Sequence, residues 1–185
     1  MVLNEEQLIE GIKQRDRQCQ SEFYNRHASA LYGIALRYTE SDDNAKDVLQ
    51  DAFIRIFDSI EQYNGTGVVR AWMSRIVVNE ALTVYKQKKR RLIQSIDAAE
   101  TQMELKDESI VVSDMLTHEI LLQFIQELSE GYRVVFNLHE MEGYSHDEIA
   151  EMLNCSPSTS RSQLFKAKNL LRKKINDFND KEEKI

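Results

Sequence analysis

Residues that break helices are scarce in this chain. It has 185 residues, of which one is proline, Pro157, and six are glycine. A sheet of many short strands needs frequent turns, and such turns are rich in glycine and proline. Hydrophobic residues make up 42% of the chain and charged residues 30%, so a core can form beneath a polar surface. The sequence therefore predicts an all-α protein with long helices.

Several classes of protein are disfavoured by what the sequence lacks. No apolar run approaches the roughly 18 residues of a membrane span, and the acidic N-terminus MVLNEEQLIEGIKQ does not resemble a secretory signal. Cys19 and Cys155 are far apart and lack CxxC spacing, which favours a reducing cytoplasm over a disulfide or a zinc site. We therefore expect a cytoplasmic protein without membrane insertion.

An enzymatic function is also disfavoured. The sequence has no glycine-rich phosphate loop and no nucleophile elbow. Its four histidines show no metal-binding spacing and are interpreted as structural or surface residues; they are His27, His118, His139 and His146. We expect no metal, no cofactor and no catalytic residues.

Hydrophobic periodicity places two helices early in the chain. Asp16 is suited to cap a helix that reaches about Tyr38. The segment SDDNAKDVLQDAFIRIFDSI has apolar residues at i, i+3, i+4 and i+7, which predicts a helix from Asp42 to Ile60. Asp42 and Asp43 suit the positive end of its dipole.

A loop and a long helix follow. Residues 61–67, EQYNGTG, break the pattern and predict a loop. The next segment, VVRAWMSRIVVNEALTVYKQKKRR, predicts one helix that ends in a basic run. We predict that its buried stripe contains Val69, Trp72, Ile76 and Thr83. Asn79 falls near that stripe and can be either a buried hydrogen-bonding residue or an exposed contact.

The periodicity then stops and resumes, which indicates two domains. Residues 92–111 are acidic and aperiodic, and they predict a flexible linker. The predicted organisation is a helical domain at 1–91, the linker at 92–111, a second helical domain at 112–178 and a charged tail at 179–185.

The second predicted domain contains a helix-turn-helix. Ser145 and Glu148 form an S-x-x-E capping box at the start of its first helix. The three residues NCS form the turn, Ser156 is suited to cap the second helix, and Pro157 fits the first position of that helix. In this motif the second helix is the one that enters the major groove of DNA.

Charge supports a DNA contact by that second helix. From 152 to 176 there are no acidic residues, although the chain carries a net charge of −7. We expect inward positions at Ser160, Leu164, Ala167 and Leu171. The opposite, DNA-reading face contains Ser158, Thr159, Arg161, Ser162, Lys166, Lys168 and Arg172. A solvated basic face would explain the charge alone, but the caps, the short turn and the proline together favour DNA reading.

Both halves of the chain resemble the extracytoplasmic-function (ECF) branch of the sigma-70-type bacterial RNA polymerase sigma factors. The segment LSEGYRVVFNLHEMEGYSHDEIAEMLNCSPSTSRSQLFKAKNLLRKKI resembles region 4. The segments LYGIALRYTESDDNAKDVLQDAFIRIFDSI and AWMSRIVVNEALTVYKQKKR resemble the two ends of region 2. Two regions in this order, with no region 3 between them, form a more specific pattern than either half alone.

The resemblance implies roles for three groups of residues. The reading face of the helix-turn-helix would contact the −35 promoter element. The −10 element would be contacted by Tyr63, Asn64, Thr66, Asn79, Lys86, Lys88, Lys89 and Arg90. Core polymerase would dock, through the clamp of its largest subunit, on Asp47, Gln50, Asp51, Ile54 and Asp58. From the residues alone, an ordinary turn and solvated helix faces remain alternatives for the last two groups.

The resemblance also implies the partners and leaves competing functions to exclude. Expected partners are core RNA polymerase, through its clamp and flap, promoter DNA and an anti-sigma factor, with a monomeric free protein. The alternatives are a stand-alone helix-turn-helix regulator and a helical adaptor that binds only protein. The acidic linker suggests a further hypothesis, in which it folds back on the basic helices and blocks DNA.

Overall fold

The structure, a computed structural model, describes residues 3–93 and 117–182. Within these residues every regular element is helical, with eight α-helices, one 3₁₀ turn and one π turn. The predicted all-α class is confirmed. From residue 94 onward the predicted linker lies outside the described residues, as do 112–116, residues 183–185 of the predicted tail and the linker segment of the fold-back hypothesis.

The chain divides into two compact units, Met1–Val84 and Tyr85–Ile185. This division falls inside one long helix. The domain limits expected at residues 91 and 112 stay predictions.

Four helices build the first unit. They are α1 (Glu5–Lys13), α2 (Arg17–Tyr38), α3 (Asp42–Ser59) and the greater part of α4 (Val69–Ile93). A 3₁₀ turn at Ile60–Gln62 continues α3 into the loop before α4. The helices predicted from Asp16 and from Asp42 are confirmed, and so is the single long helix that runs into the basic segment.

Side-chain caps explain where these helices begin. Asp16 accepts hydrogen bonds from the backbone N–H groups of Gln18 (2.7 Å) and Cys19 (3.4 Å) at the start of α2. Ser41 Oγ accepts one from Asn44 N–H (3.3 Å) at the start of α3. Each cap satisfies an N–H group that has no partner inside its own helix.

The packing of α1 on α2 depends on a glycine. A Cβ atom added at Gly11 would lie 2.3 Å from Cys19 Sγ and 2.9 Å from Cys19 Cβ. Both distances are shorter than a van der Waals contact, so any side chain at position 11 would push the two helices apart. The absence of a side chain therefore brings α1 against the first turn of α2.

The buried stripe of α4 differs from the predicted one. Trp72 and Ile76 are only half-buried, and Thr83 is exposed. Val69 is buried as predicted, and the other buried side chains of α4 are Met73, Val77, Val78, Glu80, Ala81, Leu82 and Tyr85. The first half of α4 is apolar on nearly all sides, so periodicity alone could not orient the helix. Asn79 is exposed, which excludes the buried alternative for that residue.

Four helices build the second unit. They are α5 (His118–Gln126), α6 (Glu130–Phe136), α7 (His146–Leu153) and α8 (Pro157–Glu182). A π turn at Asn137–Met141 follows α6 directly. It takes the place of a further regular turn of α6, shortly before Gly143. Gly143 has a φ of 78°, as expected for a residue that ends a helix.

The core of the second unit fixes the position of α8. Ile125 and Leu128 pack with Ala167 and Leu171 of α8. Arg133, 1% exposed, donates from Nη1 to the carbonyl oxygens of Gln126 (2.6 Å) and Leu128 (3.1 Å) at the end of α5. These contacts hold α5 and α6 together as the support on which α8 lies.

Candidate nucleic-acid interface

The helix-turn-helix forms as its caps predict. Ser145 Oγ accepts from Glu148 N–H (3.3 Å), and Ser145 N–H donates to the Glu148 carboxylate (2.8 Å). The Ser145 hydroxyl also donates to the Glu148 carboxylate (2.7 Å). Donation from this hydroxyl and from the Ser145 N–H holds the pKa of Glu148 below its ordinary value. Asn154 takes a left-handed conformation, with φ 50°, in the turn. Ser156 Oγ then accepts from Thr159 N–H (3.0 Å), which caps α8.

The face of α8 that packs inward is the predicted one. Ser160, Leu164, Ala167 and Leu171 are all buried. Because these positions are three or four residues apart, they lie on one side of the helix. The opposite side is therefore free to meet a ligand.

The outward face of α8 combines polar groups with one large apolar side chain. Ser158, Arg161 and Ser162 are exposed, as predicted. Phe165 is 52% exposed and lies on the same face, since 158, 161, 162 and 165 follow helical spacing. Sequence reasoning missed Phe165, although its spacing from Arg161 gave the signal. The resulting surface has hydrogen-bonding groups, a cation and an aromatic ring side by side.

The other four residues predicted for the reading face of α8 lie at its edges. Thr159, Lys166, Lys168 and Arg172 are half-buried. Lys168 Nζ is 2.8 Å from Glu140 Oε1 of the π turn. Arg172 Nη1 donates to Asn169 Oδ1 (2.9 Å). Lys168 therefore links α8 to the π turn, a role that the sequence did not indicate, whereas the hydrogen bond of Arg172 lies within α8.

A stacked pair of histidines supports the start of α8. His146 Nδ1 is 2.9 Å from the hydroxyl of Ser160, which is fully buried. The His146 ring stacks on His139 with their centroids 4.6 Å apart. Burial lowers the pKa of His146, with further contributions from the positive charges of His139 and Arg161. The interpretation of these two histidines as structural residues agrees with their contacts.

The shape of the loop before α4 is fixed by its own hydrogen bonds. Tyr63 donates its hydroxyl to Gly67 O (2.8 Å), and its ring lies 5.5 Å from that of Trp72. Asn64 Oδ1 accepts from the backbone N–H (3.1 Å) and the hydroxyl (2.6 Å) of Thr66. Asn64 therefore keeps its amide N–H₂ group for another partner.

A cavity lies beside this loop, and sequence reasoning missed it. Its volume is about 870 Å³. One wall is formed by α1, through Glu5, Glu6 and Glu10. The other is formed by loop residues 63–65, 67 and 68 and by the first two residues of α4. Tyr63 and Asn64, two of the loop residues predicted to contact the −10 element, thus line a space large enough for a small ligand.

The remaining predicted contacts of the −10 group lie along α4. Asn79 is exposed near the middle of the helix. Lys86, Lys88, Lys89 and Arg90 are exposed near its C-terminal end. The structure thus leaves these side chains accessible and places the loop group and the α4 group on consecutive elements.

The predicted docking face of α3 is exposed throughout. Its members are Asp47, Gln50, Asp51, Ile54 and Asp58. Ile54 is 53% exposed, which is unusual for isoleucine. Arg55 on the same face forms an ion pair with Glu80 of α4. The face therefore presents carboxylates around an apolar side chain, and its arginine is paired with Glu80.

Two negative findings apply to the described parts of the chain. No three histidine, cysteine or acidic side chains come together in an arrangement that could hold a metal ion there. In the same residues, no helix is both long and apolar enough to cross a membrane.

Comparison with known families identifies both units. A model of sigma-70 region 2 matches residues 23–91, and a model of sigma-70 region 4 matches residues 118–171. Together the matches cover about two thirds of the chain.

Similar proteins extend the match over nearly the whole length. The ECF RNA polymerase sigma-E factor of Haemophilus influenzae is 29% identical over 182 residues, which cover 94% of this chain and 96% of that protein. The sigma-E factor of Escherichia coli K12 is 28% identical over 183 residues, with 94% and 95% covered. Among solved structures, the Bartonella quintana sigma factor RpoE, in complex with the anti-sigma factor NepR, shares the fold. It matches with a TM-score of 0.50 and 20% identity, covering 84% of this chain and 96% of that one.

These matches settle the family. The chain belongs to the sigma-70 family, in its extracytoplasmic-function branch.

Proposed function

We propose that this chain is a sigma factor that binds core RNA polymerase and directs it to promoters for transcription initiation. The observation that carries the proposal is the presence of regions 2 and 4 in one chain, in that order. The chain itself would perform no catalysis, because polymerase supplies the chemistry. It would act in the cytoplasm, where its polymerase and promoters are.

In this proposal the outward face of α8 reads the −35 element in the major groove. Arg161 is exposed and has the fork of donors that suits a guanine edge. Phe165, 52% exposed, is suited to an apolar contact such as a thymine methyl group. The serine hydroxyls at 158 and 162 are small, so they allow the helix to approach the base edges. Lys166, Lys168 and Arg172 are suited to phosphates beside the groove.

The loop and α4 contact the −10 element in this proposal. A base leaving the duplex needs an open loop, amide groups for its edge and an aromatic ring nearby. Tyr63 and Asn64 provide these groups where the loop lines the cavity, and Thr66 holds the Asn64 side chain in place. Asn79 and the basic end of α4, from Lys86 to Arg90, would follow the adjacent strand.

Core polymerase docks on the outward face of α3 in this proposal. Asp47, Asp51 and Asp58 give that face a negative charge, which favours a basic protein surface and disfavours DNA. Ile54, 53% exposed, provides an apolar anchor at its centre. The flap of polymerase would engage the region 4 unit. The free protein would be a monomer, and an anti-sigma factor would be a further partner that competes with polymerase.

The deciding experiment is run-off transcription with purified core polymerase, with and without this protein. We expect a promoter-specific transcript only when the protein is present, and we expect the protein to co-purify with core. Tight operator binding without core would instead indicate a stand-alone regulator. If the protein binds neither DNA nor core polymerase, the remaining alternative is a helical adaptor that binds only protein.

A further inference from the structure

Glu80 is an unusual residue for the interior of α4. It is 8% exposed, and it is the one carboxylate classed as buried among the described residues. It lies next to Asn79, whose side chain points outward. A buried ionised carboxylate is costly unless a cation pairs with it, so its partner matters.

That partner comes from a different surface. Arg55 Nε forms the ion pair with Glu80 Oε1, and the side chain of Arg55 is 64% exposed against 10% for Glu80. Arg55 belongs to the outward face of α3, next to Ile54 and one helical turn from Asp51 and Asp58. The pair thus joins a surface suited to a protein partner to the interior of the helix beside it.

The exposure of Arg55 makes the strength of this pair depend on its surroundings. While Arg55 is solvated, water weakens the attraction between the two charges. A protein that covers the α3 face removes that water, and the attraction between the charges then rises. Covering α3 would therefore fix α4 more firmly at Glu80.

We propose that Arg55 and Glu80 are positioning residues, whose ion pair couples the docking of core polymerase on α3 to the placement of the promoter-facing helix α4. The inference rests on the proposed function and deepens it. Core binding strengthens the pair and so orders Asn79 and its neighbours before they meet DNA. By linkage, promoter contacts that need this placement of α4 also strengthen core binding.

A double-mutant cycle tests the coupling. The variants are Arg55→Gln, Glu80→Gln and the double variant, each measured for the Kd of core binding and for promoter-specific run-off at saturating core. Removing one partner leaves a lone charge that docking must bury, whereas removing both leaves none. We expect each single variant to raise the Kd about 5- to 10-fold and the double variant to return to within about twofold of the parent.

Two further variants serve as controls. Asp51→Asn removes a charge from the same face without touching the pair, so its effect on core binding should add to that of Glu80→Gln instead of cancelling it. Arg55→Lys keeps the charge and should stay closer to the parent than Arg55→Gln. All variants are measured at a temperature at which thermal unfolding shows them to be fully folded.

The readouts separate coupling from a merely structural role. Glu80 is too buried to touch polymerase directly, so an unchanged core Kd for Glu80→Gln overturns the proposal, even if its melting temperature falls. The proposal is also overturned if the double variant raises the Kd of core binding by the product of the two single-variant factors. If the unaltered chain fails to bind core at all, the proposed function fails, and that outcome is distinct from failure of the pair.

Discussion

Single residues of α8 differ in how they can contact DNA. Arg161 is exposed on the outward face, whereas Lys166 is half-buried at its edge. A guanidinium aimed at base edges distinguishes sequences, while an ammonium near the backbone neutralises phosphates of any sequence. The two side chains therefore predict two kinds of defect.

Arg161→Ala should change promoter choice, and Lys166→Ala should weaken all promoters alike. A lost bidentate base contact costs about 1–3 kcal/mol at the matched base pair, so the Arg161 variant should lose most on promoters with guanine at that position. The Lys166 variant should lower the salt slope of binding by about 1. Holoenzyme binding to promoters with each base substituted in turn, at several salt concentrations, measures both effects. Equal losses on every promoter for Arg161→Ala would contradict the base-reading role.

For single residues, the sequence predicted the exposure of small polar and charged side chains better than that of the others. Ser158, Arg161 and Ser162 were expected on the reading face and are exposed. Phe165 was missed because an aromatic residue in a helix is ordinarily assigned to the core, yet it is 52% exposed. Asn79 was ambiguous because it falls near the predicted Trp72/Ile76 stripe, and only the packed structure shows it to be exposed.

At the element scale, the contact between α7 and α8 passes through a histidine. His146, the first residue of α7, meets the buried Ser160 of α8 at 2.9 Å. Burial is the main reason that the pKa of His146 is lowered. His139 and Arg161 lower it further, whereas Asp147 and Glu140 raise it. The folded motif therefore favours the neutral imidazole.

Acidification should destabilise the second unit through this histidine. Its pKa in the folded state is below the ordinary value of 6.5, so below about pH 6.5 the unfolded chain binds more protons. The stability present at neutral pH is then lost progressively as the pH falls toward the lowered pKa. The drop in melting temperature between about pH 7.5 and 5.5 should be smaller in His146→Gln than in the parent.

A matched control uses a histidine outside the motif. His118 is exposed, and His118→Gln should follow the parent over the same pH range. If His146→Gln loses as much stability on acidification as the parent does, the effect does not come from this residue.

Helix boundaries were predictable where a local signal sets them. Asp16, Ser145 and Ser156 cap their helices as their sequence positions predict. The π turn at Asn137–Met141 was not predictable, because it depends on the buried Asn137 donating to Arg133 O (2.9 Å). The orientation of α4 was not predictable either, because a buried carboxylate such as Glu80 reads as an outward residue until its partner on α3 is known.

At the scale of the whole molecule, charge opposes DNA binding. The chain has a net charge of −7, although α8 and the end of α4 are basic. Acidic groups elsewhere lower the attraction of the free protein to a polyanion. The basic segments are thus suited to bind DNA only when another molecule supplies most of the binding free energy.

The free protein should therefore bind promoter DNA weakly and with little sequence preference. At physiological salt we expect a Kd in the range of non-specific binding, about 10⁻⁴–10⁻⁶ M, and specific binding only with core polymerase. Fluorescence anisotropy on a promoter fragment and a scrambled fragment, with and without core, measures the difference. Tight, sequence-specific binding by the free chain would argue against the proposed division of labour.

The contact between Gly11 and Cys19 has a consequence for how related sequences can diverge. Because no side chain fits at position 11 while the sulfur atom of Cys19 occupies the adjacent space, position 11 is confined to glycine for as long as position 19 holds cysteine or a larger residue. A lineage that gains a methyl group at 11 needs a smaller residue at 19 first, or in the same step. Positions 11 and 19 should therefore covary among related sequences, with a side chain at 11 only where 19 is smaller than cysteine.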